Sequence, residues 1–139
     1  MKKRTPISAI MTSDVITLNH SDSLVTAEKI FKKNNIRHIP IINGSKITGM
    51  LSYTDLLRIS FADAVYKDEK EIDTTLYDMF TIKQVMTKNV ISVNSKTTIK
   101  EVAEMLSKKE FHALPIINNK KLVGIVTTTD LINYLIAQF

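Results

Sequence analysis

The chain repeats itself at a spacing of 75 residues, without a gap. Met11-Thr12 returns as Met86-Thr87, Val15-Ile16 as Val90-Ile91, and Pro40-Ile41-Ile42-Asn43 as Pro115-Ile116-Ile117-Asn118. Gly49 returns as Gly124, and Thr54-Asp55-Leu56 as Thr129-Asp130-Leu131. Between these anchors most exchanges keep their character, as in Leu24 with Ile99, Phe31 with Leu106 and Leu51 with Val126. Chance apolar patterning scatters its matches, whereas one register held throughout marks a duplication. The period is too long for a solenoid and reads as two copies of a small domain. A lone ~60-residue copy would bury too little surface to be robust. Two copies packed about a pseudo-twofold axis and sharing a core are therefore expected.

Each copy has the same coarse layout. Val15 to Leu18 and Val90 to Val93 read as a first strand. Asn19 to Ser23 and Asn94 to Thr98 supply helix caps. Leu24, Ala27, Ile30 and Phe31 then recur at helical spacing, as do Ile99, Val102, Ala103, Met105 and Leu106. Two β-rich runs follow, Ile39 to Ile42 and Ile47 to Leu51, joined by Asn43-Gly44-Ser45, a hairpin signal. Their counterparts, Leu114 to Ile117 and Leu122 to Val126, flank Asn118-Asn119. A last helix is expected from Thr54-Asp55 and from Thr129-Asp130. The fold class is mixed α/β (α+β), with β-α-β-β-α in each copy. The copies span residues 6–60 and 81–139, and residues 61–80 join them.

Composition narrows the function classes. Apolar residues make up 44 % of the 139, enough for a packed core. No cysteine is present, which excludes disulfides, thiolate metal sites and a cysteine nucleophile, and suits a reducing cytoplasm. The start Met1-Lys2-Lys3-Arg4-Thr5-Pro6 has no apolar run behind it and does not read as a secretory signal. No stretch approaches the ~18 apolar residues of a membrane helix. The net charge of +5 is uneven, because residues 61–80 carry six acidic and two basic groups between two basic halves. Such halves attract phosphate ligands, acidic partners or nucleic acid, or simply form a solvated lysine-rich surface. The joint itself, with Lys67-Asp68-Glu69-Lys70-Glu71 between Val65, Ile72, Leu76 and Met79, reads as a solvated linker or a cover for a cleft or partner.

The layout resembles the cystathionine beta-synthase (CBS) domain. Three pieces carry the resemblance: Met-Thr near the start of each copy, the apolar-Pro-Ile-Ile strand, and a Gly-x-x-[Ser/Thr]-x-x-Asp segment. The last reads Gly49-Met50-Leu51-Ser52-Tyr53-Thr54-Asp55 and Gly124-Ile125-Val126-Thr127-Thr128-Thr129-Asp130. All pieces occur in order, twice, at one spacing. The resemblance implies a CBS pair, or Bateman module, with clefts between the copies that hold AMP, ADP, ATP, S-adenosylmethionine or a related ligand. It also implies a homodimer.

The residues support that chemistry on their own terms. A helix N-terminus offers unpaired N–H groups and a positive dipole end to an anion. Ser52, Thr54, Thr127 and Thr129 add hydroxyls for phosphate. A carboxylate accepts hydrogen bonds from ribose hydroxyls, which makes Asp55 and Asp130 the ribose candidates. The plainer roles are Thr54 and Thr129 as N-caps and the aspartates as first helical residues. For Arg37 and His38, just before the Pro40 strand, the resemblance implies that they reach phosphate, to which an arginine fork is suited, and the plainer role is a surface pair. His112-Ala113 replaces them in the second copy, so the first site is better suited to a charged phosphate, and the second is expected either to favour a less charged ligand or to stay empty. Ile16-Thr17 and Ile91-Ser92 hold family-like positions for adenine, and are also ordinary strand residues. Met50 and Ile125 suit core packing.

His20, His38 and His112 lie at no spacing that sets two ligands on one helix face, so magnesium is expected only as the companion of ATP. No glycine-rich phosphate loop and no Ser-His-Asp set stand out. The leading reading is a cytoplasmic, non-enzymatic sensor that controls a separate protein by population shift. The alternative is a dimerisation or adaptor module that binds no ligand. Nucleic-acid binding ranks lower, since few aromatics are available for stacking, and catalysis ranks last.

Overall fold

Pro40 and Pro115 set where the parallel pairing in each unit stops. A computed structural model describes residues 4–64 and 77–139. The chain divides into two compact units, Ile16–Asn89 and Met1–Val15 with Val90–Phe139. In the first, β1 (Leu18–Asn19) lies parallel to β2 (His38–Asn43), which pairs antiparallel with β3 (Lys46–Ser52). In the second, β4 (Ala113–Asn118) pairs antiparallel with β5 (Lys121–Thr127), and a bridge from Val93 to Ile116 stands where β1 would be.

The first strands are thus shorter than expected over Val15 to Leu18 and Val90 to Val93. Val93 donates its N–H to the Pro115 carbonyl at 3.2 Å and accepts from Ile117 at 2.8 Å. The next rung back would need an N–H from Pro115, which proline lacks, so the parallel ladder stops. Pro40 holds the same place in the other unit.

Helix α1 (Leu24–Asn34) starts at Ser23, whose hydroxyl accepts from the Thr26 N–H at 3.1 Å. It buries Leu24, Ala27 and Phe31, one stripe at helical spacing, and ends at Asn35 in the left-handed region. Helices α2 (Tyr53–Ala64) and α3 (Ile82–Val85) belong to the same unit. In the other, α4 (Ile99–Lys108) starts in a capping box between Thr98 and Glu101 and buries Ile99, Val102 and Leu106. Helix α5 (Thr128–Ala137) ends the element order.

Both hairpins carry the same bulge. Ile41 faces Gly49 but Ile42 faces Ile47, which leaves Thr48 as the extra residue, and Val123 is its counterpart. Their two-residue turns differ. Gly44 takes φ +65° in the first, whereas Asn119 and Lys120 both take positive φ in the second, at 49° and 67°. Positive φ at both central positions is the pattern of a type I′ turn. A left-handed lysine costs ~1–2 kcal/mol. After glycine's own entropic loss, Lys120→Gly is expected to stabilise the protein by about 0.5–1 kcal/mol. Urea unfolding checks this as a rise in midpoint at constant slope, and a fall would contradict it.

The cores do not follow the repeats. Ile82 and Met86, from the start of the second copy, sit in one cluster with Leu24, Phe31, Ile39, Ile41 and Leu51 of the first. Ile7, from the start of the first copy, is fully buried with Val102, Leu114, Ile116 and Val126 of the second. Each copy lends its leader to the other's hairpin. Thr87 exchanges backbone hydrogen bonds with Met50 at 2.8 and 3.0 Å, and Thr12 does so with Ile125 at 2.9 Å each way.

The two glycines of the repeat lie under these leaders. A Cβ on Gly49 would fall on the Met86 sulfur and 2.9 Å from the Thr87 carbonyl oxygen. On Gly124 it would lie 2.6 Å from the Met11 sulfur and 3.1 Å from the Thr12 carbonyl oxygen. The Met-Thr and Gly motifs are therefore two halves of one contact. From the joint, Tyr77 is buried in the first cluster and Met79 is exposed. Val65, Ile72, Leu76 and the run Lys67 to Glu71 lie outside the described residues.

Candidate functional site

The helix starts differ from the expectation, and the difference rests on capping. Helix α2 begins at Tyr53 and α5 at Thr128, so Ser52 and Thr127 are the N-caps rather than Thr54 and Thr129. Asp55 and Asp130 stand third in their helices, not first. The Ser52 hydroxyl accepts from the Asp55 N–H at 3.1 Å, and the Asp55 carboxylate accepts from the Ser52 N–H at 3.1 Å. Thr127 and Asp130 form the same reciprocal pair at 3.2 and 2.9 Å. The [Ser/Thr]-x-x-Asp spacing is a capping-box signature, and its presence in both copies was the available signal.

Capping orders the junctions in a useful way. The Tyr53 N–H donates to the Arg37 carbonyl at 2.8 Å, and Thr128 donates to His112 at 3.0 Å. The third N–H of each helix goes to the capping hydroxyl. The second, on Thr54 and on Thr129, has no protein partner among the described residues. Both threonines are exposed, so each junction presents one N–H and one hydroxyl beside a half-buried carboxylate held in place. A helix N-terminus with such donors suits an anion, and the fixed carboxylate suits a diol.

The registers gather the remaining candidates within each unit. His38 faces Ser52 across β2 and β3, and Arg37 precedes it, exposed. Going backwards, the parallel register of β1 leads from Leu18 opposite Ile41 to Thr17 and Ile16 near the same sheet end. In the other unit Ala113 faces Thr127, His112 is exposed, and Ile91 and Ser92 precede the Val93 bridge. Ile16 and Ile91 are 36 % and 44 % exposed. Met50 and Ile125 are buried, and their backbones hold the leaders.

The junctions are not equal in charge, a feature the sequence reading missed beyond Arg37. Arg58 approaches the Asp55 carboxylate at 3.7 Å, one turn along α2. The repeat puts Asn133 at the corresponding place in α5.

Residues 7–62 and 82–137 each match the CBS domain. The chain belongs to the CBS domain family. Among relatives of this CBS pair, a homoserine O-acetyltransferase of Methanohalobium evestigatum is 30 % identical over 97 % of this chain. An L-aspartate semialdehyde sulfurtransferase of Methanocaldococcus jannaschii is 30 % identical over 91 % of it. The CBS pair spans only 25 % and 22 % of those two proteins. Among solved structures, the CBS domain pair of protein MJ0100 in complex with 5′-methylthioadenosine and S-adenosyl-L-methionine is 28 % identical, with a TM-score of 0.77. That match covers 94 % of this chain and 99 % of the other. No helix among the described residues is long and apolar enough to cross a membrane.

Proposed function

We propose that this CBS pair is a cytoplasmic regulatory module that takes an adenine nucleotide or adenosyl compound at its strand-to-helix junctions and controls a separate protein. The observation that carries this reading is the doubled junction, an open threonine N–H and hydroxyl beside a carboxylate already fixed by its own cap. A carboxylate held before the ligand arrives loses little freedom on binding. The adenosyl compounds bound by the MJ0100 pair support the ligand class. Control of a partner would follow if the ligand favours one conformation by differential affinity.

A thermal-shift screen with AMP, ADP, ATP, S-adenosylmethionine, 5′-methylthioadenosine and an adenine-free control tests the reading. A ligand at 100 times its dissociation constant stabilises by ~2.7 kcal/mol, a shift of several degrees for a chain this size. Absence of any shift at millimolar concentrations would remove it. Asp55→Asn keeps an oxygen for the Ser52 N–H and loses the charge, so binding should weaken several-fold with little change in melting. Asp55→Ala should also lose ~0.5–2 kcal/mol of capping. Calorimetry and melting together separate the two effects.

Adaptor function is the second reading, and one observation favours it. Ile132, Leu135, Ile136 and Phe139 follow at i, i+3, i+4 and i+7 along and just beyond α5, and are 56, 44, 63 and 100 % exposed. No helical residue of α5 is buried. Such a seam can pair with the same seam of a second copy, as expected of a homodimer. Ile132→Glu with Ile136→Glu should shift the mass in sedimentation equilibrium to that of one chain. An unchanged mass would place any assembly elsewhere.

A further inference from the structure

We infer that Arg58 and Asn133 set the ligand charge that each junction prefers: the first takes a phosphorylated adenine nucleotide, the second an uncharged or cationic adenosyl thioether or sulfonium. This rests on the proposed junction sites and assigns a ligand class to each. In α2, Asp55 shares its carboxylate with the Arg58 guanidinium at 3.7 Å, and Arg37 supplies the carbonyl that accepts from the first helical N–H. The Arg58 guanidinium thus accompanies that carboxylate, while the Arg37 side chain is exposed one residue before His38. In α5, Asn133 stands for Arg58, His112 stands for Arg37, and Asp130 has no cationic partner among the described residues. One negative charge remains there, that of Asp130. The junctions share their capping boxes and open threonines, so what distinguishes them is Arg58 against Asn133 and Arg37 against His112.

The physical consequence is direct. Phosphate oxygens approaching Thr54 meet the attraction of Arg58, which also offsets the repulsion from Asp55. Phosphate approaching Thr129 meets the uncompensated Asp130 carboxylate. A sulfonium or a thioether meets no such opposition there, and the sulfonium is attracted. The Arg58 side chain is 78 % exposed, so it is free to turn from Asp55 to an incoming phosphate and can be replaced without disturbing the core.

Titration calorimetry of the full chain with ATP, 5′-methylthioadenosine and S-adenosylmethionine at low salt tests the assignment. Arg58→Asn should weaken ATP about five- to tenfold and leave 5′-methylthioadenosine within about twofold, as removal of one nearby charge predicts. Arg58→Lys, which keeps the charge, should retain most of the ATP affinity. Asn133→Arg should weaken S-adenosylmethionine and strengthen the weaker ATP site. If the wild-type chain binds ATP and 5′-methylthioadenosine and Arg58→Asn leaves their affinity ratio unchanged, the charge assignment fails and the sensor reading stands. If the wild-type chain binds only the thioether, the nucleotide assignment of the first junction fails. If it binds none of the three, the sensor reading fails and takes this inference with it.

Discussion

Ile7→Ala is expected to open the hairpin of the second copy and to leave that of the first closed. Ile7 is fully buried and belongs to the cluster of Val102, Leu114, Ile116 and Val126. Truncating a buried isoleucine costs about 2–5 kcal/mol, through lost transfer free energy and the cavity left behind. The leader that carries Ile7 is also held by hydrogen bonds from Thr12 to Ile125 and from Ile7 to Thr97. Loosening it should therefore expose the amides of β4 and β5. Amide hydrogen exchange followed by mass spectrometry reads this directly, because local opening reports the stability of each region. Faster exchange over residues 113–127 with protection kept over 38–52 is the expected pattern. Ile82→Ala should give its mirror image. Faster exchange at 38–52 after Ile7→Ala, with 113–127 unchanged, would show that the leaders serve their own copies.

Gly49→Ala should destabilise by about 1–3 kcal/mol, the range for overpacking, and lower the melting temperature by roughly 5–10 °C. The added methyl would meet the Met86 sulfur, which can turn aside, and the Thr87 carbonyl oxygen at 2.9 Å, which is backbone. Relief through the carbonyl would stretch the Met50–Thr87 hydrogen bonds. Gly124→Ala should cost less, since its nearest backbone atom is 3.1 Å away and Met11 is only partly buried. Adding Met86→Ala to Gly49→Ala should not restore stability, because the carbonyl contact stays and Met86 is itself buried. A larger loss at Gly124 than at Gly49 would contradict this ordering.

Periodicity exposed most of the fold. The stripe Leu24, Ala27, Phe31 and the β-rich runs through Pro40 and Gly49 are local patterns, and a single chain displays them openly. Ser23 and Thr98 fell in the segments read as caps. What stayed hidden depends on pairing at a distance. The loss of a ladder rung at Pro40 and Pro115 follows only when the partner strand is known. The exchange of leaders is invisible to the repeat itself, because a duplication places identical docking surfaces in both copies and does not say which leader uses which. At the candidate site, Ser52, Asp55, Thr127 and Asp130 were legible as polar residues beside a helix start. Their division into cap, carboxylate and open threonine needed the helix boundary. Arg58 was overlooked since its salt bridge to Asp55 lies along the helix, past the motif.

The exchange of leaders makes each half of the gene incomplete as a folding unit. Residues 6–60 alone would lack Ile82 and Met86 for their core, and would part Ile7 from the cluster it fills. Two such fragments could complete each other by trading arms. A single-copy ancestor built this way would have been an arm-swapped pair of chains, and fusion of two genes head to tail would have fixed that trade within one polypeptide. Cutting the chain between the copies and mixing the pieces should then rebuild the protein where neither piece folds by itself.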